Sequence, residues 1–263
     1  MSKVLHALNN RLLNVYLLVA AIVLWQIAPG LGWTNPVFVP PFSTIVGEAV
    51  EMSIPVVLLH VGHSLLRVFV GFVICMAASL PLGFILGGAF PRLAALLRAL
   101  MNFLAQIPPY ILYSVIAIVS GPGERAIAFV IVWSAFWPVL FTTLQGVGEI
   151  DARLIRCARS MNAGNLLVFF KVVLPAVFPN LMRGARQGMT MSFLMLIGAE
   201  SMGAQSGIGF LIHNAQVMGY INRVYLGALL SAVVGFLLNA AMAFIEKKLV
   251  TWKEPSEHEK AAA

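Results

Sequence analysis

Charge is scarce in this chain of 263 residues: Asp, Glu, Lys and Arg together make up 10% of it. Soluble domains carry about 25% charged residues. With 60% hydrophobic residues and a mean hydropathy of +0.91, a water-soluble fold would leave much of its apolar area in contact with water, so that class is excluded. Cysteine is nearly absent as well. Cys75 lies in a hydrophobic run and Cys157 in a basic segment, so there is no disulfide framework, and no Cys/His cluster has zinc spacing. No G-x-x-x-x-G-K-[ST] loop is present, and no glycine is followed directly by lysine. The chain is therefore not a nucleotide hydrolase of that type. H-E-x-x-H and G-x-S-x-G are missing too. Carboxylates inside the apolar runs are too few for a proton relay.

What is abundant is long apolar sequence. A membrane-crossing helix needs about 20 mostly apolar residues, and six stretches qualify: 12–29, 64–90, 93–119, 124–146, 177–202 and 224–246. The expected fold class is all-α, a polytopic transmembrane domain of about six spans. Lys3 and Arg11 before the first run resemble a signal peptide, but no small-residue cleavage site follows, so the run reads as a retained helix.

The basic residues set an expected orientation. If the N-terminus is cytoplasmic, fourteen of the 17 Lys and Arg residues fall on the cytoplasmic side. Only Arg67, Arg125 and Arg223 fall outside, a strong positive-inside bias. The net charge of +7 is thereby read as membrane topology, with no nucleic-acid partner implied. The organisation expected is a cytoplasmic N-terminus at 1–11, a transmembrane domain at 12–252 and a cytoplasmic tail at 253–263. The second to fifth spans show no clear internal repeat, which argues against a secondary carrier.

The longest inward segment, 148–175, carries an amphipathic pattern. Asp151 is placed to cap a helix, because its carboxylate accepts the free amide hydrogens of the first turn. Arg153, Arg156 and Arg159 share one face; Leu154, Cys157, Ala158 and Met161 share the other. Asn162 ends the helix, since Asn tolerates a left-handed cap. Ala163 and Gly164 follow, and Leu174-Pro175 opens the fifth span. Two readings stand: a helix lying on lipid headgroups, or one that docks its apolar face in a groove of a partner.

The spacing of this loop resembles the E-A-A, three residues, G, nine residues, I-x-L-P loop of permease subunits in binding-protein-dependent ABC importers. The register falls on Arg156-Cys157-Ala158, Asn162, Val172 and Leu174-Pro175. Arg stands for the leading Glu and Asn for the Gly. The similarity runs from about Pro40 to Trp252. Pro40-Pro41-Phe42, the run from His60 to Phe72, Ile107-Pro108-Pro109 and the run Ala199-Glu200 to Gly209 resemble segments of the nitrate, sulfonate, taurine and bicarbonate branch. Ala105 replaces that branch's Arg, and Gly121 to Glu124 lacks its Trp and Phe.

The resemblance implies a type I importer permease with no catalytic residue, metal or cofactor of its own, ATP and Mg being bound by a partner ATPase. It implies ABC ATPase subunits, an extracytoplasmic substrate-binding protein and a second permease copy as partners, besides membrane lipid. The coupling residues it implies are Asp151, Leu154, Arg156, Cys157, Ala158, Met161, Asn162, Ala163, Gly164, Leu174 and Pro175. Candidates for the path or gate are Arg67, Gln106, Pro108, Pro109 and Glu200. Each has a plainer reading. Arg67 snorkels to headgroups, Glu200 caps or pairs at a helix end, and Pro108-Pro109 is a simple kink. Gly203, Gly207 and Gly209 read as a hinge or as an ordinary glycine loop. The alternative function is an ATP-independent carrier or channel.

Overall fold

The computed structural model describes residues 16, 17 and 19–250. The expected N-terminal segment 1–11, the tail 253–263 and part of the first span lie outside the described residues. Among the described residues there is no strand. Helical residues 19–27 form α1. Then come α2 (Phe42–Glu51), α3 (Ile54–Phe84), α4 (Pro91–Ala105), α5 (Pro109–Ser120), α6 (Glu124–Gly148), α7 (Ala152–Ser160), α8 (Asn165–Val168), α9 (Leu174–Gly203), α10 (Ile208–Met218) and α11 (Ile221–Leu249). π-helical turns at Ile85–Ala89 and Phe169–Val173 extend α3 and join α8 to α9.

Four helical stretches are long and apolar enough to cross a bilayer: Ile54–Ala89, Glu124–Gly148, Asn165–Gly203 and Ile221–Leu249. The pair α4 and α5 makes a fifth if counted as one span. The second span begins at Ile54, ten residues before the sequence placed it. At 1.5 Å per residue its 36 residues reach about 54 Å, well beyond a hydrocarbon core of about 30 Å. The third span is not one kinked helix either: α4 and α5 meet at 81°. Pro108 is extended (φ −62°, ψ 125°) because the following proline disfavours helix. Pro109 then starts α5, where its missing N–H costs nothing.

Bundle order follows from close approach. α6 packs along α9, and α3 and α11 lean on that pair. One core joins Val68, Phe72, Ile127, Ile131, Val139, Ala185, Phe193 and Leu196. A smaller cluster of Leu86, Met101, Trp137 and Leu140 seats α4 on α6. The glycines of α9 permit the contact. A Cβ at Gly188 would sit 3.0 Å from Val139 Cγ2 and 3.2 Å from the Ala135 carbonyl, and one at Gly184 would strike the Thr142 hydroxyl. Few residues of α11 are fully buried, as suits a helix at the periphery of the bundle. α2 was not foreseen from sequence. It packs on α11 through Arg223 Nε donating to Glu48 Oε1 at 2.7 Å.

Replacing Gly188 by Leu forces α6 and α9 apart, an overpacking cost of about 1–3 kcal/mol. The expected result is a lower melting temperature and less monodisperse protein in detergent. Gly62→Ala, where nothing lies within 4 Å, leaves both unchanged; equal behaviour of the two variants would contradict the assigned contact.

Candidate functional site

Three features bear on function, and the first is a polar latch at the end of the bundle where α6 begins and α9 ends. His60, Ser64 and Arg67 recur at helical spacing on one face of α3. Arg67 Nη1 donates to Glu200 Oε1 at 2.8 Å and to the Ser206 carbonyl at 2.6 Å. Its Nε donates to Glu124 Oε2 at 2.8 Å, and Nη2 also bonds that carboxylate. Ser64 Oγ lies 2.8 Å from both Glu200 oxygens, and Gly209 N donates to Oε2 at 2.9 Å. Ile208 N donates to Ser64 Oγ, and Gly207 N to His60 Nδ1.

Arg67 therefore does not snorkel. Its side chain is 11% exposed and that of Glu200 is 0% exposed, so the two predicted path residues pair with each other. Gly207 is required here in two ways: its φ is +116°, and a Cβ would collide with the Glu200 carboxylate. The segment 203–209 is thus a fitted clasp that leads into a separate helix, α10, in place of a plain glycine loop. Sequence reasoning missed Ser64 and Ser206. The i, i+3 spacing of Ser64 and Arg67 was the available signal.

The second feature is the break between α4 and α5. Gln106 and Pro109 border an open cavity of about 530 Å³ whose walls include Trp137, Phe141, Gln187 and Met191. Pro108 shapes the break from just outside that wall. Arg67 and Glu200 do not line the cavity, so the five predicted path residues divide between two places.

The third is the loop at the opposite end. Asp151 Oδ1 accepts from Arg153 N at 2.8 Å, the expected cap of α7. Asn162 adopts φ +58°, the expected left-handed stop. Ala163 N donates to the Ala158 carbonyl at 3.2 Å, and Val168 N to that of Gly164 at 3.0 Å, closing the turn into α8. Leu174 and Pro175 open α9. No residue of α7 is buried. Ile155 and Ala158 are half-covered, while Arg156 and Cys157 are exposed, as are Leu154 (52%) and Met161 (84%). Leu166, Leu167 and Phe170 extend the bare apolar surface. The loop is rooted in the bundle at two points. Phe169 meets Phe84 of α3 edge-on at 5.1 Å. Glu149, just before the loop, accepts from Gln145 Nε2 at 2.8 Å and from Asn180 Nδ2 at 3.0 Å. Those two amide donors, Gln145 first, hold its carboxyl below the usual carboxylate range.

Membrane-length helices around a broken span, with an amphipathic helix standing free of the bundle, define a polytopic transport domain. The chain belongs to the family described as binding-protein-dependent transport system inner membrane component, whose model matches residues 79–251. It is 31% identical over 237 residues to an aliphatic sulfonates transport permease protein, SsuC, of Bacillus subtilis, covering 90% of this chain and 86% of that one. It is 31% identical over 191 residues to the nitrate import permease protein NrtB of Leptolyngbya laminosa, covering 73% and 68%. Among solved structures, a chain of the MetNI methionine ABC transporter in an inward-facing conformation superposes with TM-score 0.62 at 22% identity, over 76% of this chain and 99% of that one. The fold is that of an ABC importer permease, and the relatives are of the branch the sequence resembled.

Two outcomes follow. Arg67→Ala strands the buried Glu200 carboxylate at a cost of about 3–5 kcal/mol, read as a large drop in thermal stability. Adding Glu200→Gln restores most of it. Glu124→Gln costs under about 1 kcal/mol, because Glu124 is 67% exposed. For Glu149 the native value lies below the unfolded one, so its contribution is present above the unfolded value. That contribution fades as pH falls through the native value. Glu149→Gln flattens this acid limb in melts recorded across pH, and an unchanged limb would remove Glu149 from the root of the loop.

Proposed function

We propose that this chain is the permease subunit of an ATP-driven importer in the cell inner membrane, that both termini face the cytoplasm, and that α7 couples it to a separate ATPase. The observation that carries the reading is α7 itself. It is a helix capped at both ends whose Leu154, Cys157 and Met161 are exposed. It is also tied to α3 and α9 through the π-helical turn at Phe169–Val173. An apolar face held rigid and uncovered suits a groove on a partner. Cationic residues on the same loop suit the cytoplasmic side.

In this scheme the chain hydrolyses nothing and holds no cofactor; ATP and Mg belong to the ATPase subunits. A loaded substrate-binding protein docks at the end where Arg67 and Glu200 meet. Closure of the ATPase dimer draws α7 with it, and Phe169 and Phe84 pass the displacement to α3 while Leu174 and Pro175 pass it to α9. ATP shifts the balance between inward-open and outward-open states only by binding one of them better. A second copy of the chain completes the path, and lipid covers the remaining apolar surface. The transported solute is a small organic or inorganic anion, as the names of the nitrate and sulfonate relatives suggest.

The test is co-purification of the chain with its ATPase from detergent. Ala158→Glu and Leu154→Glu abolish or reduce ATPase recovery at least about tenfold while membrane insertion stays normal, an estimate from two lost apolar contacts. Unchanged recovery with both variants would overturn the docking role and favour an ATP-independent carrier.

A further inference from the structure

One bond of the clasp at residues 203–209 depends on the protonation of a single ring. Gly207 N donates to His60 Nδ1 at 3.1 Å. A backbone N–H is a donor and nothing else, so Nδ1 is the acceptor and the ring carries its proton on Nε2. His60 is thereby fixed as the neutral imidazole in this structure. Imidazolium donates from both nitrogens, and two N–H groups would then face each other across the same gap. The ring is half-buried and stacked on Phe210 of α10, with centroids 6.0 Å apart.

His63, one turn further along α3, is placed differently. Its Nδ1 lies 2.7 Å from Ser206 Oγ, and that hydroxyl also accepts from Arg67 Nη2 at 3.1 Å. A hydroxyl donates or accepts as its partner requires, so this contact survives protonation of His63. The two histidines thus touch adjacent residues of the clasp, and His60 is the one whose partner has no second role to adopt.

The elements packed on α3 bring the remaining charges to this end. α9 supplies Glu200, bonded to Arg67, Ser64 and Gly209 N. α6 supplies Glu124, bonded to Arg67, and the exposed Arg125. α10 carries His213, which is exposed. α2 carries Glu48, paired with Arg223, and the exposed Glu51. The two carboxylates bonded within the cluster, Glu200 and Glu124, are therefore already committed to Arg67. Glu124 is 67% exposed, a position for water and not for lipid tails, so protons have access to this end.

We infer that His60 is a proton-sensing site: its protonation releases the Gly207 amide and loosens the clasp that ties α3 to the turn between α9 and α10. The Ile208 and Gly209 amides, bonded at 2.9 Å to Ser64 Oγ and Glu200 Oε2, belong to the same turn and loosen with it. The open clasp accepts the proton without a facing donor, so acid shifts the balance toward it. A free imidazole titrates at about pH 6.5, which places the response between mildly alkaline and mildly acid conditions. The sensor's meaning for transport rests on the importer reading, in which a binding protein docks at this end; the proton chemistry stands apart from it.

The experiment is hydrogen–deuterium exchange of the full chain, co-purified with its ATPase in lipid nanodiscs. It is run at about pH 7.5 and about pH 5.5, either side of the imidazole range, with the intrinsic effect of pH on exchange corrected. The readout is protection of the Gly207, Ile208 and Gly209 amides. In the wild type it falls about tenfold or more at the acid pH, the loss expected when a donor is left facing another donor. His60→Gln does not titrate, so its clasp behaves alike at the two pH values, whether the Gln oxygen holds the amide or the clasp stays open. His63→Gln keeps the acid loss of the wild type. Equal protection of the wild type at both pH values overturns the sensor. Acid loss that persists in His60→Gln assigns the response to a carboxylate and overturns the role of His60, as does its disappearance in His63→Gln. These outcomes leave ATPase recovery intact, whereas failure of the importer reading shows as loss of the ATPase with the pH response of the chain retained.

Discussion

The close approach of α6 and α9 is the contact on which the other helices depend. In a bilayer apolar side chains gain little by leaving lipid for one another, so helices associate through fine packing and polar contacts, both of which need small residues. Gly184 and Gly188 let the backbone of α9 lie on Val139 and Ala135 of α6, and Ser192 Oγ reaches the Ile131 carbonyl at 3.0 Å across the seam. α3 repeats the device from the other side, laying Gly71 on Ile131 and Gly83 on Thr143. Three long helices thus form one rigid slab, on which the broken pair α4 and α5 and the outer helix α11 are mounted.

The slab is fastened at its two ends by carboxylates of different character. At one end Glu200 is wholly buried and takes its partners from Arg67 and Ser64 of α3 and from the Gly209 amide in the first turn of α10. A charge so placed is costly unless every lone pair is met, which explains why backbone and side-chain donors converge on it. At the other end Glu149 is exposed and bonded to two amides. The first fastening is stiff and the second is soft. The soft one sits at the root of α7, where motion has to enter if the loop transmits force.

Much of this was legible in local sequence, because the features concerned are local. Hydropathy located the membrane-length helices, Asp151 marked the start of α7, and Asn162 marked its left-handed stop. The length of α3 was misjudged because His60, His63, Ser64 and Arg67 interrupt its first half, although Ile54 to Leu59 before them are apolar. The 81° bend was visible as Pro108-Pro109, but its size depends on what α4 and α5 each pack against. α2 and α10 are short helices whose stability comes from docking on α11 and α9, and no periodicity in so few residues announces that. The pairing of Arg67 with Glu200 spans 133 residues of chain, so the sequence described each residue alone and left Arg67 between a path role and the headgroups.

The departures from the family's loop pattern have unequal physical weight. Asn162 in place of glycine changes little, because the backbone there takes φ +58°, a conformation Asn accepts at small cost. Arg156 in place of glutamate is a different matter. It is exposed with Arg153 and Arg159 on a helix that has no acidic residue of its own after Asp151. Three cations on one short face repel one another, and docking them beside further cations would add to that cost. On the proposed docking of α7, a groove that receives it would have to bring carboxylates to its rim, so the charge reversal at Arg156 would call for a matching reversal on the partner. Ala105 acts the same way on the path. With alanine where the pattern has arginine, the cavity wall beside it carries no fixed charge.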